Sequence, residues 1–147
     1  MLGEQLGEAS GTVTGIRVLG AQGADDDDSA MEVSFRGRGE LLGVGITDMG
    51  TFVQTVRPGG ILSGEDSNVV MLTDDGEKVA WKGFGVGKPT GAGFKSSWGV
   101  AGSVRTASEK MGRLNAVATV VEYEVEEDGS YRWKLWEWTG AAASSSG

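Results

Sequence analysis

Cysteine and histidine are both missing from the 147 residues. Without cysteine there is no disulfide framework, no thiolate nucleophile and no Cys-based zinc site. Without histidine there is no Ser-His-Asp triad, no imidazole base and no imidazole metal ligand. Proline is scarce, at 2 residues, so the chain is neither a proline-rich linker nor collagen. Positive charge is short as well. The 13 Lys+Arg stand against 21 Asp+Glu, a net charge of −8. That balance argues against nucleic acid and anionic membrane as partners. No run approaches the ~20 apolar residues of a membrane helix. The opening stretch MLGEQLGEAS carries two acids and no base, unlike a secretory signal, so the cytoplasm is the expected compartment.

Glycine is what the chain has in excess. It holds 26 glycines, more than twice the ~7% of average usage. The composition is 39% hydrophobic, enough for a core, and the length fits one domain.

Apolar and polar residues alternate with period two along most of the chain, the signature of half-buried strands. Thr12–Leu19 is one such strand. Met31, Val33 and Phe35 alternate with Glu32, Ser34, Arg36 and Arg38. Leu42, Val44 and Ile46 continue that pattern, and Phe52, Gln54 and Val56 form another stretch. Ile61–Thr73, Val79–Val86, a strand through Phe94, Ser96, Trp98 and Val100, Ala116–Val125 and Ser130–Trp138 follow. Turns separate them at Arg57-Pro58-Gly59-Gly60, at Asp75-Gly76 and at Asp128-Gly129, where Asp-Gly supplies the positive φ of a tight hairpin. Ser108 is placed to cap a short helix carrying Met111 and Leu114 on one side.

About eight strands at this spacing predict an all-β fold: a closed antiparallel β-barrel, with one short helix before the last two strands. A β-sandwich is the alternative. Gly37 and Gly39, Gly43 and Gly45, and Gly83, Gly85 and Gly87 sit at alternate positions, hence on one face of their strands. Glycine within a strand permits sharp coiling and close approach, which favours closure. None of these runs completes a nucleotide-binding loop. Residues 1–9 are expected to form a flexible arm or a first half-strand, 10–138 the barrel, and 139–147 a disordered tail. The run Asp25 to Asp28 predicts a solvated loop, since it lacks the alternate spacing of a calcium loop.

The alternation also sorts side chains by face. Arg132 and Lys134 disfavour a small lumen, so Tyr131, Trp133, Leu135 and Glu137 are expected to point inward. Phe94, Ser96, Trp98 and Val100 are expected inside, as are Val117, Thr119, Val121 and Tyr123. Trp81 is ambiguous, because Phe84 and Val86 lie on its opposite face. Phe94, Ser96, Trp98, Tyr123, Trp133 and Leu135 are thus the candidate ligand-binding residues. Rigid aromatic walls with few polar groups suit an apolar or aromatic small molecule, although an eight-stranded barrel is also just wide enough to be filled by its own side chains. Asp48 follows Leu42, Val44 and Ile46 on one face. Asp66 shares a face with Leu62, Val70 and Leu72, leaving Glu65 outward. A carboxylate in an apolar lumen can act as acid or base, and a tyrosine can donate to an oxyanion. Asp48, Glu137 and Tyr131 are therefore the candidate catalytic residues. Trp136 and Trp138 fall on the outer face. They predict either packing under the N-terminal arm or a subunit contact, as in a homodimer.

The order of features also carries a resemblance. Glycine-rich strands lead to the hairpin at Asp75-Gly76. A strand with Trp98 leads to Ala107-Ser108, a short segment at Leu114-Asn115, and two final strands. This resembles the allene-oxide-cyclase and dirigent type of eight-stranded barrel, more loosely the calycin barrels, and small uncharacterised proteins of the same layout. The resemblance spans residues 10–138 and is one of layout. No catalytic motif of the family aligns, so no residue role is carried over. It implies a barrel whose mouth or lumen holds an apolar small molecule. Some such barrels steer a cyclisation by shape and a few polar groups; others only bind. The expected functions are therefore a ligand-binding barrel without a cofactor, a cofactor-free cyclase or isomerase, and an assembly protein with a filled barrel.

Overall fold

The period-two pattern continues through nearly every stretch that the chain extends, and the strands follow it. The computed structural model describes residues 1–21 and 29–140. Among them are eight strands: β1 (Leu2–Ala21), β2 (Ser29–Leu41), β3 (Val44–Arg57), β4 (Ile61–Thr73), β5 (Lys78–Pro89), β6 (Ser96–Thr106), β7 (Ala118–Val125) and β8 (Ser130–Trp138). Each pairs antiparallel with the next, and β8 pairs with β1, so the sheet is a closed barrel and not a sandwich. One turn of 3-10 helix, Gly112–Ala116, precedes β7. Ser108 Oγ accepts the Met111 N–H just before it, and Met111 and Leu114 are buried under the barrel end.

Three sequence expectations change. Residues 2–9 are strand: β1 begins at Leu2, and Leu6 and Ala9 are buried in the core. The alternation of this segment is short and rich in glycine, but it closes the barrel against Leu135, Trp136 and Trp138 of β8. The stretch Met31–Ile46 is two strands, because Leu42 and Gly43 both adopt positive φ, 49° and 78°, in a two-residue hairpin. On β4 a bulge interrupts the pairing with β5 between Gly64 and Ser67. Asp66 has φ 47° there and is exposed. The bulge adds a residue, so the inward set switches from Leu62 and Gly64 to Ser67, Val69, Met71 and Thr73. Leu72, expected inside, points out. Glu65 is exposed as expected and pairs with Arg57 at 3.3 Å. The run Asp25 to Asp28 and residues 141–147 of the expected tail lie outside the described residues.

The core is the lumen. Phe35, Phe52, Trp81, Trp98, Tyr123, Tyr131 and Trp133 all point into it. The glycines make this possible. On β5 the inward positions after Trp81 are Gly83, Gly85 and Gly87, while Phe84 and Val86 face solvent. A Cβ on Gly83 would stand 2.5 Å from the Trp81 ring, and one on Gly87 2.5 Å from the Trp98 ring. Large inward rings are thus set against inward positions with no side chain, the small-against-large alternation that fills a narrow barrel.

Candidate functional site: a carboxylate among aromatic rings

Asp48 is the one fully buried carboxylate among the described residues, 0% exposed. Its Oδ2 accepts the Tyr131 hydroxyl at 2.5 Å and the Trp133 Nε1–H at 3.1 Å. The register explains the contact. Tyr131, Gly11, Gly37 and Asp48 are successive partners across β8, β1, β2 and β3. The two glycines between them leave the tyrosine a path along the wall, and a Cβ on Gly37 would stand 2.5 Å from its hydroxyl oxygen.

Asp48 Oδ1 is buried and accepts no hydrogen bond. The Tyr123 hydroxyl is likewise buried without a partner. Buried polar atoms are paired in the great majority of cases, so two orphans in one lumen are notable. The two tyrosine rings stack at 5.6 Å, and Phe35 meets the Tyr131 ring edge-on at 5.0 Å. Burial raises the Tyr123 phenol far above its ordinary range, and the Asp48 charge adds to the rise. For Tyr131 burial is again the first cause, followed by the hydrogen bond to Asp48. Both phenols are held in the neutral form. No cation answers Asp48: all 13 lysines and arginines are exposed, and the chain has no histidine.

Beside this cluster lies a partly open cavity of about 70 Å³. Its walls include Phe52, Trp98, Val121, Tyr123 and Trp133, and almost every lining atom is apolar. Asp48 is not on the wall itself. It is joined to it through Trp133, which lines the cavity and donates to the carboxylate. The other two lumenal indoles are satisfied locally, Trp81 by Thr119 Oγ1 at 2.9 Å and Trp98 by Ser96 Oγ at 2.9 Å.

The candidates from sequence thus separate. Asp48, Tyr131 and Trp133 come together, and Tyr123 joins them. Trp98, Tyr123, Trp133 and Leu135 line the cavity, while Ser96 is buried beneath Trp98 as its acceptor. Phe94 does not reach the lumen. It sits in the turn before β6, 41% exposed, because the strand begins only at Ser96. Glu137 is only half-buried, near the Arg113 guanidinium. Asp66 is outside on the bulge. Sequence reasoning missed Phe35, Phe52 and Trp81 as wall residues. The first two lay on recognised strands, and the inward run of glycines after Trp81 was the signal for the third. Val69 and Met71 were hidden by the bulge.

Trp136 and Trp138 are on the outer face, the latter 48% exposed. Phe84, Ala101, Val120 and Trp136 are successive partners across β5 to β8 and form an apolar row on that face. Among the described residues no helix is long and apolar enough to cross a membrane.

No protein-family model and no curated protein matches the chain. Solved structures do. A conserved protein of unknown function from Rhodopseudomonas palustris superposes with a TM-score of 0.76 at 13% identity, covering 93% of this chain and 97% of that one. A protein with unknown function from Clostridium acetobutylicum gives 0.76 at 15% identity, over 91% and 96% of the two chains. A beta-barrel like protein from Acinetobacter baumannii gives 0.75 at 16% identity, over 93% and 94%. At these identities the likeness establishes the fold: this chain is a β-barrel of the architecture those proteins share.

Proposed function

We propose that the barrel binds a small apolar molecule in its lumen. The observation that carries this reading is the cavity of about 70 Å³ with aromatic and aliphatic walls. Its volume is roughly half that of the ~150 Å³ engineered cavity that holds benzene. A short alkyl group or the edge of one ring fits inside, with the remainder of the ligand at the mouth. A cyclase or isomerase, the alternative that the allene-oxide-cyclase resemblance suggests, needs an acid and a base at the substrate. Here the candidate base, Asp48, does not line the cavity, and its Oδ2 is engaged by Tyr131 and Trp133. That favours binding over catalysis.

The test is an NMR titration of the full chain with benzene, following the five tryptophan indole N–H signals. The reading expects saturable shifts at Trp98 and Trp133, with Trp138 unmoved. Unchanged lumenal indoles would mean a filled barrel and would overturn it.

A second reading, assembly, is favoured by the outer row from Phe84 to Trp136. Phe84 is 62% exposed, and the Trp136 indole N–H is buried without an acceptor. The occupant that this reading names is a second copy of the chain, placed over that row.

A further inference from the structure

The orphaned oxygens say more about the ligand than the cavity does. Asp48 Oδ1 and the Tyr123 hydroxyl are buried, adjacent to the same rings, and unpaired. A buried carboxylate costs several kcal/mol unless a cation or a full set of donors meets it. Asp48 has two donors, both on Oδ2, and every lysine and arginine of the chain is exposed. Tyr131, which meets the carboxylate through its hydroxyl, packs with Phe35 and Tyr123, the three ring centroids lying 5.0 to 6.0 Å apart. Aromatic rings about a carboxylate, with no protein cation, form a setting suited to an organic ammonium.

We propose that the ligand's polar end is a protonated amine held by Asp48 Oδ1 and the Tyr123 hydroxyl. This rests on the lumen-binding reading and deepens it. The ammonium meets the Tyr123 hydroxyl, whose ring lines the cavity, and reaches past it toward Asp48 Oδ1 behind the wall, supplying the missing positive charge. The apolar body of the amine occupies the cavity. Tyr123 is the shared wall, since its ring lines the cavity and its hydroxyl lies within the field of Asp48. An alcohol of the same shape brings one donor and no charge, so it leaves the carboxylate uncompensated.

The experiment compares isobutylamine, protonated at neutral pH, with the near-isosteric isobutanol. Both are titrated into the full chain, and the Trp133 indole N–H, which contacts Asp48, is followed by NMR. The expected result is a Kd for isobutylamine at least about tenfold below that for isobutanol. Asp48→Asn keeps an oxygen for Tyr131 and Trp133 and removes the charge, so it should bring the two affinities together. Tyr123→Phe provides a second variant. It should weaken the amine severalfold and leave benzene binding intact. Equal affinity for amine and alcohol in the wild-type chain overturns the proposal, as does an amine preference that survives in a folded Asp48→Asn. An ordered water at Oδ1, with no amine preference, overturns it too. In each of these cases benzene binding shows whether the lumen-binding reading stands. If benzene also fails, both fall.

Discussion

The Tyr131 hydroxyl crosses two glycine positions to donate to Asp48 Oδ2 at 2.5 Å. The contact ties the last strand to the third across the barrel wall, and it places the one fully buried carboxylate of the described residues against the aromatic core.

Removing either partner should be felt as a loss of stability. Tyr131→Phe deletes a hydrogen bond to a charged group and is expected to cost about 1.5–3 kcal/mol. Asp48→Ala leaves two buried donors, Tyr131 O–H and Trp133 N–H, without an acceptor. It should cost about 2–6 kcal/mol, at 1–3 for each donor. Urea unfolding measures both. Wild-type stability in Asp48→Ala would mean that the carboxylate carries no structural load.

Gly37→Ala tests the path that the tyrosine takes. Its Cβ would stand 2.5 Å from the Tyr131 oxygen and would also press on the backbone of Ser10. Overpacking of this kind costs about 1–3 kcal/mol. Gly99→Ala is the control, since a Cβ there meets nothing within 4 Å. The expected pattern is a loss at Gly37 and none at Gly99. Equal effects would point to strand propensity as the cause.

The tyrosines give a pH dependence with a definite sign. The chain has two, and both have phenols raised above the ordinary 10.0 in the folded state. Below pH about 10 the phenols are neutral in folded and unfolded chains alike, so they add no slope. Above it the unfolded chain loses protons that the folded chain keeps, and stability falls as pH rises, by about 1.4 kcal/mol per pH unit for each tyrosine. A spectrophotometric titration should show no tyrosinate until the barrel unfolds, then both at once. A tyrosine titrating near pH 10 in the native protein would contradict its burial.

The outer apolar row makes a prediction of its own. If a second copy covers it, the wild-type chain sediments as a dimer and Phe84→Glu as a monomer. Phe84 is exposed on the outside, so that change leaves the lumen untouched. A monomeric wild-type chain at high micromolar concentration counts against the assembly reading.

Much of the barrel was legible because strand alternation is a local signal. Ser130–Trp138 and Ile61–Thr73 are strands with the predicted bounds, and the two Asp-Gly turns stand where expected, with Gly76 and Gly129 at positive φ. Asp48 was placed inside by the phase of Ile46, and Tyr131 by the outward Arg132 and Lys134. Their pairing was not legible, since it depends on register between strands distant in sequence. The bulge at Asp66 was equally hidden, and one extra residue there turned Leu72 outward and Met71 inward. Leu42-Gly43 escaped notice because a leucine at positive φ is rare, and the tight hairpin itself requires it. Phe94 failed for a simpler reason. Its spacing matched the strand, but the backbone is still turning there.

Lumenal binding of a small apolar molecule requires that apolar atoms can enter the barrel. Crystals pressurised with xenon test it most directly, because xenon fits a cavity of about 70 Å³ and occupies apolar space without needing a polar partner. The expected result is a xenon atom in van der Waals contact with Phe52, Trp98 and Tyr123. Xenon confined to the outer surface, with none in the lumen, would contradict it.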